Sequence, residues 1–502
     1  MTNYGRWLLF SCLFFISVSG EAQKIVKKIN KKISPEVVRA DMMYLASDQL
    51  KGRKTGEQGN QNAAEYIADA FRKTGVKEVP GMTGYFQSIP FQKFIPPQNG
   101  TLNMLGAQLT VGNNLVILDG GSIQQKADAV YADYGWIDVA TNRNDYDGLD
   151  LKGKYVIVQG GLPQGGSPQE IFASMSAKRK MAKDHGALGL IEIYSLSIPW
   201  NFFKNYFSKA RLEVMEGSSG ATGKIFHGWA QLPTGTKPNF EKGKSIPIEI
   251  NTSGASSGPV KADNVIGMIP GKDKKLRNEY VLLTAHFDHV GVKAGQVIGN
   301  DSIWNGARDN AWGTVSLLAA ARFFSKNPPD RSILLAAVNA EEMGLLGSKY
   351  LAAHPVLPWN KVIFNLNSDG AGYSDTTLVA VIGLNRVGAA REINEACAAF
   401  GLTAFADPAP EQGLFDRSDN VNFAILGIPA PTFGSGFRTF DANITKYYHQ
   451  AIDNPDNISY PYLNLFTKAF VLSAHNIAGM KSNPRWVAGD KYEPAGKKLY
   501  GY

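Results

Sequence analysis

The spacing of apolar positions changes along the chain, and each change marks a region. Over 36–75 they recur at helical spacing. PEVVRADMMYLA and NQNAAEYIADAFRKTGV each predict a helix, the second stopped by Gly75. Between them SDQLKGRKTGEQGN is rich in glycine and charge and predicts a loop. From about 100 to 255 the runs shorten to strand length: LVIL (115–118), AVYADYG (129–135) and KYVIVQGG (154–161). A helix over 174–187 leads into a strand at 188–195, and 196–245 is irregular and aromatic, with two Gly/Ser-rich patches. From 262 onward apolar strands at 280–285, 331–338 and 362–367 alternate with helices near 310–326, 344–353 and 386–401. Such alternation predicts an α/β fold with a mixed, mostly parallel central sheet flanked by helices, into which the β-rich stretch is inserted. The expected boundaries are 1–22, 23–100, 101–258 for the insert, 259–485, and a tail over 486–502.

Composition narrows the picture. A chain of 502 residues predicts more than one domain, and 44% hydrophobic with 19% charged residues is ordinary for a globular protein. The formal net charge of +8 raises nucleic acid as a partner. No basic helix carries interleaved aromatics, so nucleic acid is set aside. The clearest basic cluster, Lys24 to Lys32, reads as a solvated entry segment.

At the N-terminus Arg6 precedes the apolar run Trp7 to Val18, then Gly20-Glu21-Ala22. This predicts a signal peptide over 1–22, cut after Ala22, and export to a periplasmic or extracellular location. The run is short for a membrane span, too few apolar residues precede Cys12 for a lipoprotein signal, and no later segment predicts an integral membrane helix. Removing the signal leaves Cys397 alone, so the mature chain has no intrachain disulfide. Its Ala-rich helical surroundings make Cys397 a packed core residue rather than a nucleophile.

Candidate chemistry collects where the late apolar strands end. TAHFDHVG (284–291) places His286, Asp288 and His289 at one strand end. AVNAEEMGLLGS (337–348) places Glu341 and Glu342 at another, and FNLNSDGAG (364–372) places Asp369 at a third. Asp309 lies in NGARDNAWG (305–313) ahead of a helix, and His449 in YYHQAIDNPDN (447–457). Singly, Asp309 reads as a helix N-cap, Asp369 as a turn residue and the glutamate pair as a solvated helix start. Together they read differently. Adjacent glutamates at a strand end are costly unless a cation lies near. Two histidines and three carboxylates suit two zinc ions with mixed N/O ligands, one carboxylate bridging and water completing the sites.

The order His-x-Asp, Gly-Ala-x-Asp-Asn, Glu-Glu-x-Gly-Leu-x-Gly-Ser, Asn-x-Asn-x-Asp, Tyr-His resembles the co-catalytic zinc peptidase family. That family includes secreted bacterial leucyl aminopeptidases and glutamate carboxypeptidase II; glutaminyl cyclases and the transferrin receptor are relatives with altered sites. YLASDQLKGRKTGEQGNQNAAEYIADAF is similar to its N-terminal segment, ADNVIGMIPG (262–271) to the re-entry into its catalytic domain, and 101–258 resembles a protease-associated insert. The resemblance implies two Zn2+ ions per chain, with Asp309 bridging, His286 and Asp369 completing one site, and Glu342 and His449 the other. It implies Glu341 as general base, Asp288 as the carboxylate that orients His286, Tyr448 as a donor to the oxyanion, and a cis peptide after Asp309. The implied substrate is a peptide; the oligomeric state stays open. An aminopeptidase is expected first, with a carboxypeptidase or dipeptidase, a glutaminyl cyclase and a non-catalytic receptor-like protein as alternatives. The chain departs from the family at Arg308, at Trp312, at Asn420 in place of a histidine, and in the length between Asp288 and Asp309.

Overall fold

The three late apolar runs become neighbouring strands in a computed structural model of the chain, which describes residues 20–215, 225–236, 240–293 and 301–502. Tyr280–His286 lies between Ser332–Val338 and Val362–Ser368, parallel to both. Every residue of the two flanking strands is buried. Strands covered on both faces in this way read as unbroken apolar runs rather than as alternation. Thr432–Ser435 adds in parallel beyond Val362–Ser368, then Leu378–Ile382 antiparallel and Thr403–Ala406 parallel to that. On the opposite side Ser256–Ile269 pairs antiparallel with Ser332–Val338. The sheet is mixed and mostly parallel, as expected. Helix Trp312–Lys326 packs on its three central strands, and Tyr460–Ala478 packs on that helix and on Tyr280–His286.

The chain divides into two compact units: one running to Ile89 and resuming at Ala262, the other Pro90–Lys261. The division falls ahead of the expected 101 because strand Phe86–Ile95 carries the chain out of the first unit. Within the first unit, helix Gln58–Thr74 stops at Gly75, whose φ of +85° is readily adopted only without a side chain. The expected tail over 486–502 is ordered instead. Trp486 is buried, Arg386 pairs with Asp490, and Glu493–Tyr500 is a helix.

The Pro90–Lys261 unit is built on an eight-stranded sheet, whose strands Ile123–Tyr131, Tyr155–Gln159, Gly189–Ile193 and Phe226–Ala230 run parallel. Its helix Pro168–Asp184 begins earlier than the expected 174, because Ser167 and Glu170 form a reciprocal capping box. The stretch expected to be irregular holds the helix Trp200–Phe207 and the strands Arg211–Val214 and Phe226–Ala230.

Candidate metal centre

Three carboxyl-terminal strand ends deliver the candidate residues to one place, where open α/β sheets form their sites. His286 is the last residue of Tyr280–His286, and Asp369 follows Val362–Ser368 directly. Glu341 and Glu342 follow Ser332–Val338 after Asn339 and Ala340, the latter at φ +56°. Asp309 sits in the turn Ala307–Ala311 that feeds helix Trp312–Lys326, and the Asp309–Asn310 peptide is cis. The turn depends on Gly306, at φ +59°, where a Cβ would lie 2.2 Å from the Asp309 carbonyl oxygen. His449 comes from the loop after helix Ala442–Thr445.

The Asp309 carboxylate faces two ways. Its Oδ1 is 3.4 Å from His286 Nε2, and its Oδ2 is 3.1 Å from His449 Nε2. His286 Nε2 lies 3.3 Å from Asp369 Oδ1, and His449 Nε2 lies 3.0 Å from Glu342 Oε2. The structure thus brings together all five residues expected to hold metal, with Asp309 common to both groups. Their donor atoms form two clusters compact enough for a metal ion: His286, Asp309 and Asp369, and Asp309, Glu342 and His449 joined by His289. Imidazole and carboxylate donors of this kind suit zinc. Buried His289 and Glu342 Oε1 approach each other to 2.8 Å but have no aligned hydrogen bond among the described residues, as expected of groups turned toward a cation.

The electrostatics point the same way. Burial alone would push the His286 imidazole down, but Glu341 and Asp369 raise it well above its usual value. His449 behaves likewise: burial opposes, and Asp309 and Glu342 lift it to about 10. Both rings sit in a field that favours positive charge. The Glu341 carboxyl is raised well above its ordinary value, by burial first and then, against the pull of His286, by Asp369, Asp419 and Glu342. A carboxylate with elevated proton affinity is what a general base requires. Burial, with Asp309 and Glu342, also raises the Tyr448 phenol, which therefore stays protonated as a donor.

One expectation changes, and the departures from the family find their partners. Asp288 was to orient His286 through its carboxylate, yet Oδ1 is 3.7 Å from Nδ1, beyond hydrogen-bonding reach. Its oxygens accept instead from the backbone N–H groups of Glu341 and Glu342 and from Thr55 Oγ1, so Asp288 fixes the glutamate loop. The Asp288 main-chain carbonyl, at 3.3 Å, is the nearer partner of His286 Nδ1. Trp312 is fully buried and packs among Tyr373, Tyr462 and Phe466. Asn420 donates to the Phe415 and Ala430 carbonyls. Arg308 is held by Asp453 and Asn457 and lies 3.8 Å from the centre of the Tyr447 ring. Part of the tract between Asp288 and Asp309, residues 294–300, lies outside the described residues.

Sequence reasoning missed the supports. Buried Arg53 donates to the carbonyls of Leu45, Phe287, Asn305 and Gly306, gathering the loops that carry His286 and Asp309. Asp453 accepts from the backbone N–H groups of Arg308 and Asp309. Only His289 left a signal in the chain, as a second histidine three positions after His286.

Beside these residues a cleft is lined by Ile382, Leu414, Phe437 and Phe440, with Arg417 and Tyr448 also on its wall; His286, Asp309, Glu341, Asp369 and His449 face into it.

Comparison with known proteins bears on this arrangement. Residues 264–473 match the model of peptidase family M28. The vacuolar membrane protease of Schizosaccharomyces pombe is 34% identical over 112 residues, 22% of this chain and 12% of that protein. Aminopeptidase YwaD of Bacillus subtilis is 30% identical over 202 residues, 39% of this chain and 41% of that protein. The chain therefore spans less than half the length of these curated relatives. An aminopeptidase from Aneurinibacillus sp. strain AM-1 shares the fold, with a TM-score of 0.54 at 22% identity over 89% of this chain and 95% of that one. The expectation of a periplasmic or extracellular location is overturned by the fungal relatives, whose names place them at a vacuolar membrane. Among the described residues no helix is long and apolar enough to cross a membrane. The expected signal peptide lies outside the described residues except for Gly20–Ala22, which open the helix Gly20–Lys32.

Proposed function

Since residues 264–473 belong to peptidase family M28, we propose that the chain is a di-zinc aminopeptidase that removes apolar N-terminal residues from peptides. The observation that carries this reading is the two-way Asp309 carboxylate, with His286 on one oxygen and His449 on the other, at a cleft with an apolar wall. His286, Asp309 and Asp369 would hold one ion, and Asp309, Glu342 and His449 the other. Zinc, when bound, supplies Lewis acidity and lowers the pKa of water. Glu341 accepts a proton at its carboxylate as the attacking water is consumed and returns it to the leaving amine. Tyr448 donates its phenolic hydrogen toward the oxygen where negative charge develops. Ile382, Leu414, Phe437 and Phe440 take the side chain of the residue released. The Pro90–Lys261 unit is proposed as the protease-associated insert.

A second reading, a carboxypeptidase or dipeptidase, draws on Arg417, an exposed guanidinium on the same cleft and a natural partner for a substrate carboxylate. A panel of aminoacyl arylamides and N-blocked peptides, with and without a chelator, separates the two. Hydrolysis of leucyl and phenylalanyl arylamides that a chelator abolishes and zinc restores is the expected result. Cleavage confined to N-blocked peptides would select the second reading.

A further inference from the structure

His289 has no part in the proposed ligand set, yet its surroundings give it one. The ring is buried, and neither nitrogen finds a hydrogen-bond partner among the described residues. Its Nδ1 lies 2.8 Å from Glu342 Oε1, and that oxygen also lacks a hydrogen bond, so the two are close but not aligned to share a proton. Glu342 Oε2 faces His449, so the two carboxylate oxygens address different imidazoles. The donor atoms of His289, Asp309, Glu342 and His449 all lie within 4.8 Å of one another, a span that one ion can bridge. The position is also built for: a Cβ on Gly306 would come within 2.5 Å of His289 Cγ, so only glycine leaves room for the ring.

We infer that His289 is a fourth protein donor to the metal subsite formed by Asp309, Glu342 and His449. This rests on the di-zinc reading and makes the two subsites unequal. Two neutral imidazoles and two carboxylates carry a charge of about −2, which offsets one Zn2+, and they close a four-coordinate site with protein alone, the arrangement that retains zinc. His286, Asp309 and Asp369 supply three donors and leave a position for water or substrate, on the cleft that Glu341 also faces. The first subsite anchors its ion; the second exchanges its ion and meets the substrate.

The test compares zinc content after graded dialysis against a chelator with X-ray absorption at the zinc edge, on full-length wild type and on His289→Gln. Wild type is expected to lose one zinc early and hold the other, with imidazole scattering equivalent to three rings shared by two ions. His289→Gln is expected to bind the retained ion at least about 100-fold more weakly, beyond the range for loss of a group that merely orients a ligand. It also loses one ring from the scattering. Unchanged zinc retention in a folded His289→Gln overturns the inference. If that variant does not fold, the wild-type spectrum decides alone, and scattering from two rings overturns it. Wild type that binds no zinc at all overturns the di-zinc reading itself, a different outcome.

Discussion

Each unit buries a cluster of charges, and the two clusters are balanced in opposite ways. In the Pro90–Lys261 unit, Glu192 is fully buried between Lys178 and His227, whose Nε2 lies 2.8 Å away. Burial alone would raise the Glu192 carboxyl, but Lys178 and His227 outweigh it and hold it below its usual range. Lys178 also donates to the carbonyls of Gln159 and Gly161. Charge is matched within the cluster and no metal is called for. In the unit that runs to Ile89 and resumes at Ala262, Asp309, Glu341, Glu342 and Asp369 converge with Asp288 and Asp419 nearby, and Arg53 spends its hydrogens on backbone carbonyls rather than on any of them. The imidazoles of His286 and His449 are driven toward the charged form as a result. A buried cluster that closes its own charge needs no ion and is costly only when one partner is removed; one that leaves carboxylates in excess is suited to a cation.

The contrast can be broken most sharply at Glu341. Glu341→Gln should lower turnover by about 10²–10⁴-fold while zinc content by elemental analysis stays at the wild-type level. Near wild-type turnover would remove Glu341 from the proton transfer. In the other unit Lys178→Met should strand the Glu192 charge and lower stability by about 3–5 kcal/mol in denaturant unfolding of the full chain. Zinc content should not change, and adding Glu192→Gln should recover part of the loss. A zinc deficit in Lys178→Met would mean that the two clusters are not independent.

The smallest expected effect is on pH. Burial holds the folded His227 imidazole below its ordinary value, against the pull of Glu192. As pH falls through about 6.5, the unfolded chain takes up a proton that the folded one refuses, and stability declines. Glu192, whose folded value is also depressed, adds a second loss as pH falls below about 4.3. Hydrogen-exchange protection factors across Gly189–Ile193 and Phe226–Ala230, taken relative to the intrinsic rate at each pH, should therefore fall on acidification, and His227→Gln should erase the step near about 6.5. An unaltered step in that variant would assign it to another group.

What the sequence disclosed follows from what is local. Parallel strands buried on both faces leave continuous apolar runs, so the strand ends carrying His286, Glu341 and Asp369 were legible directly. The pairing of Asp309 with both imidazoles came from family resemblance, since a loop aspartate has no periodicity. Arg53 was not legible. It sits in a glycine-rich charged run, and its burial depends on carbonyls at Phe287, Asn305 and Gly306, more than two hundred positions away. Helix Trp200–Phe207 was missed because it spans only eight residues, so the period set by Asn201, Lys204 and Asn205 is brief, and Phe202 and Tyr206 blur it by being exposed while Phe203 is buried. The fate of Asp288 was hidden for a different reason. Its partners are two backbone N–H groups, which any residue at 341 and 342 would supply.

The four carbonyls gathered by Arg53 impose an order on biosynthesis. One of its partners, Leu45, precedes it, and the other three are not translated until Phe287 to Gly306. Until then the first 89 residues have no sheet to close upon, while Pro90–Lys261 is complete and contiguous on the nascent chain. The ribosome thus delivers a finished unit between two halves of an unfinished one. The early segment keeps the arginine it will bury in water until the loops that carry its three later partners have been made.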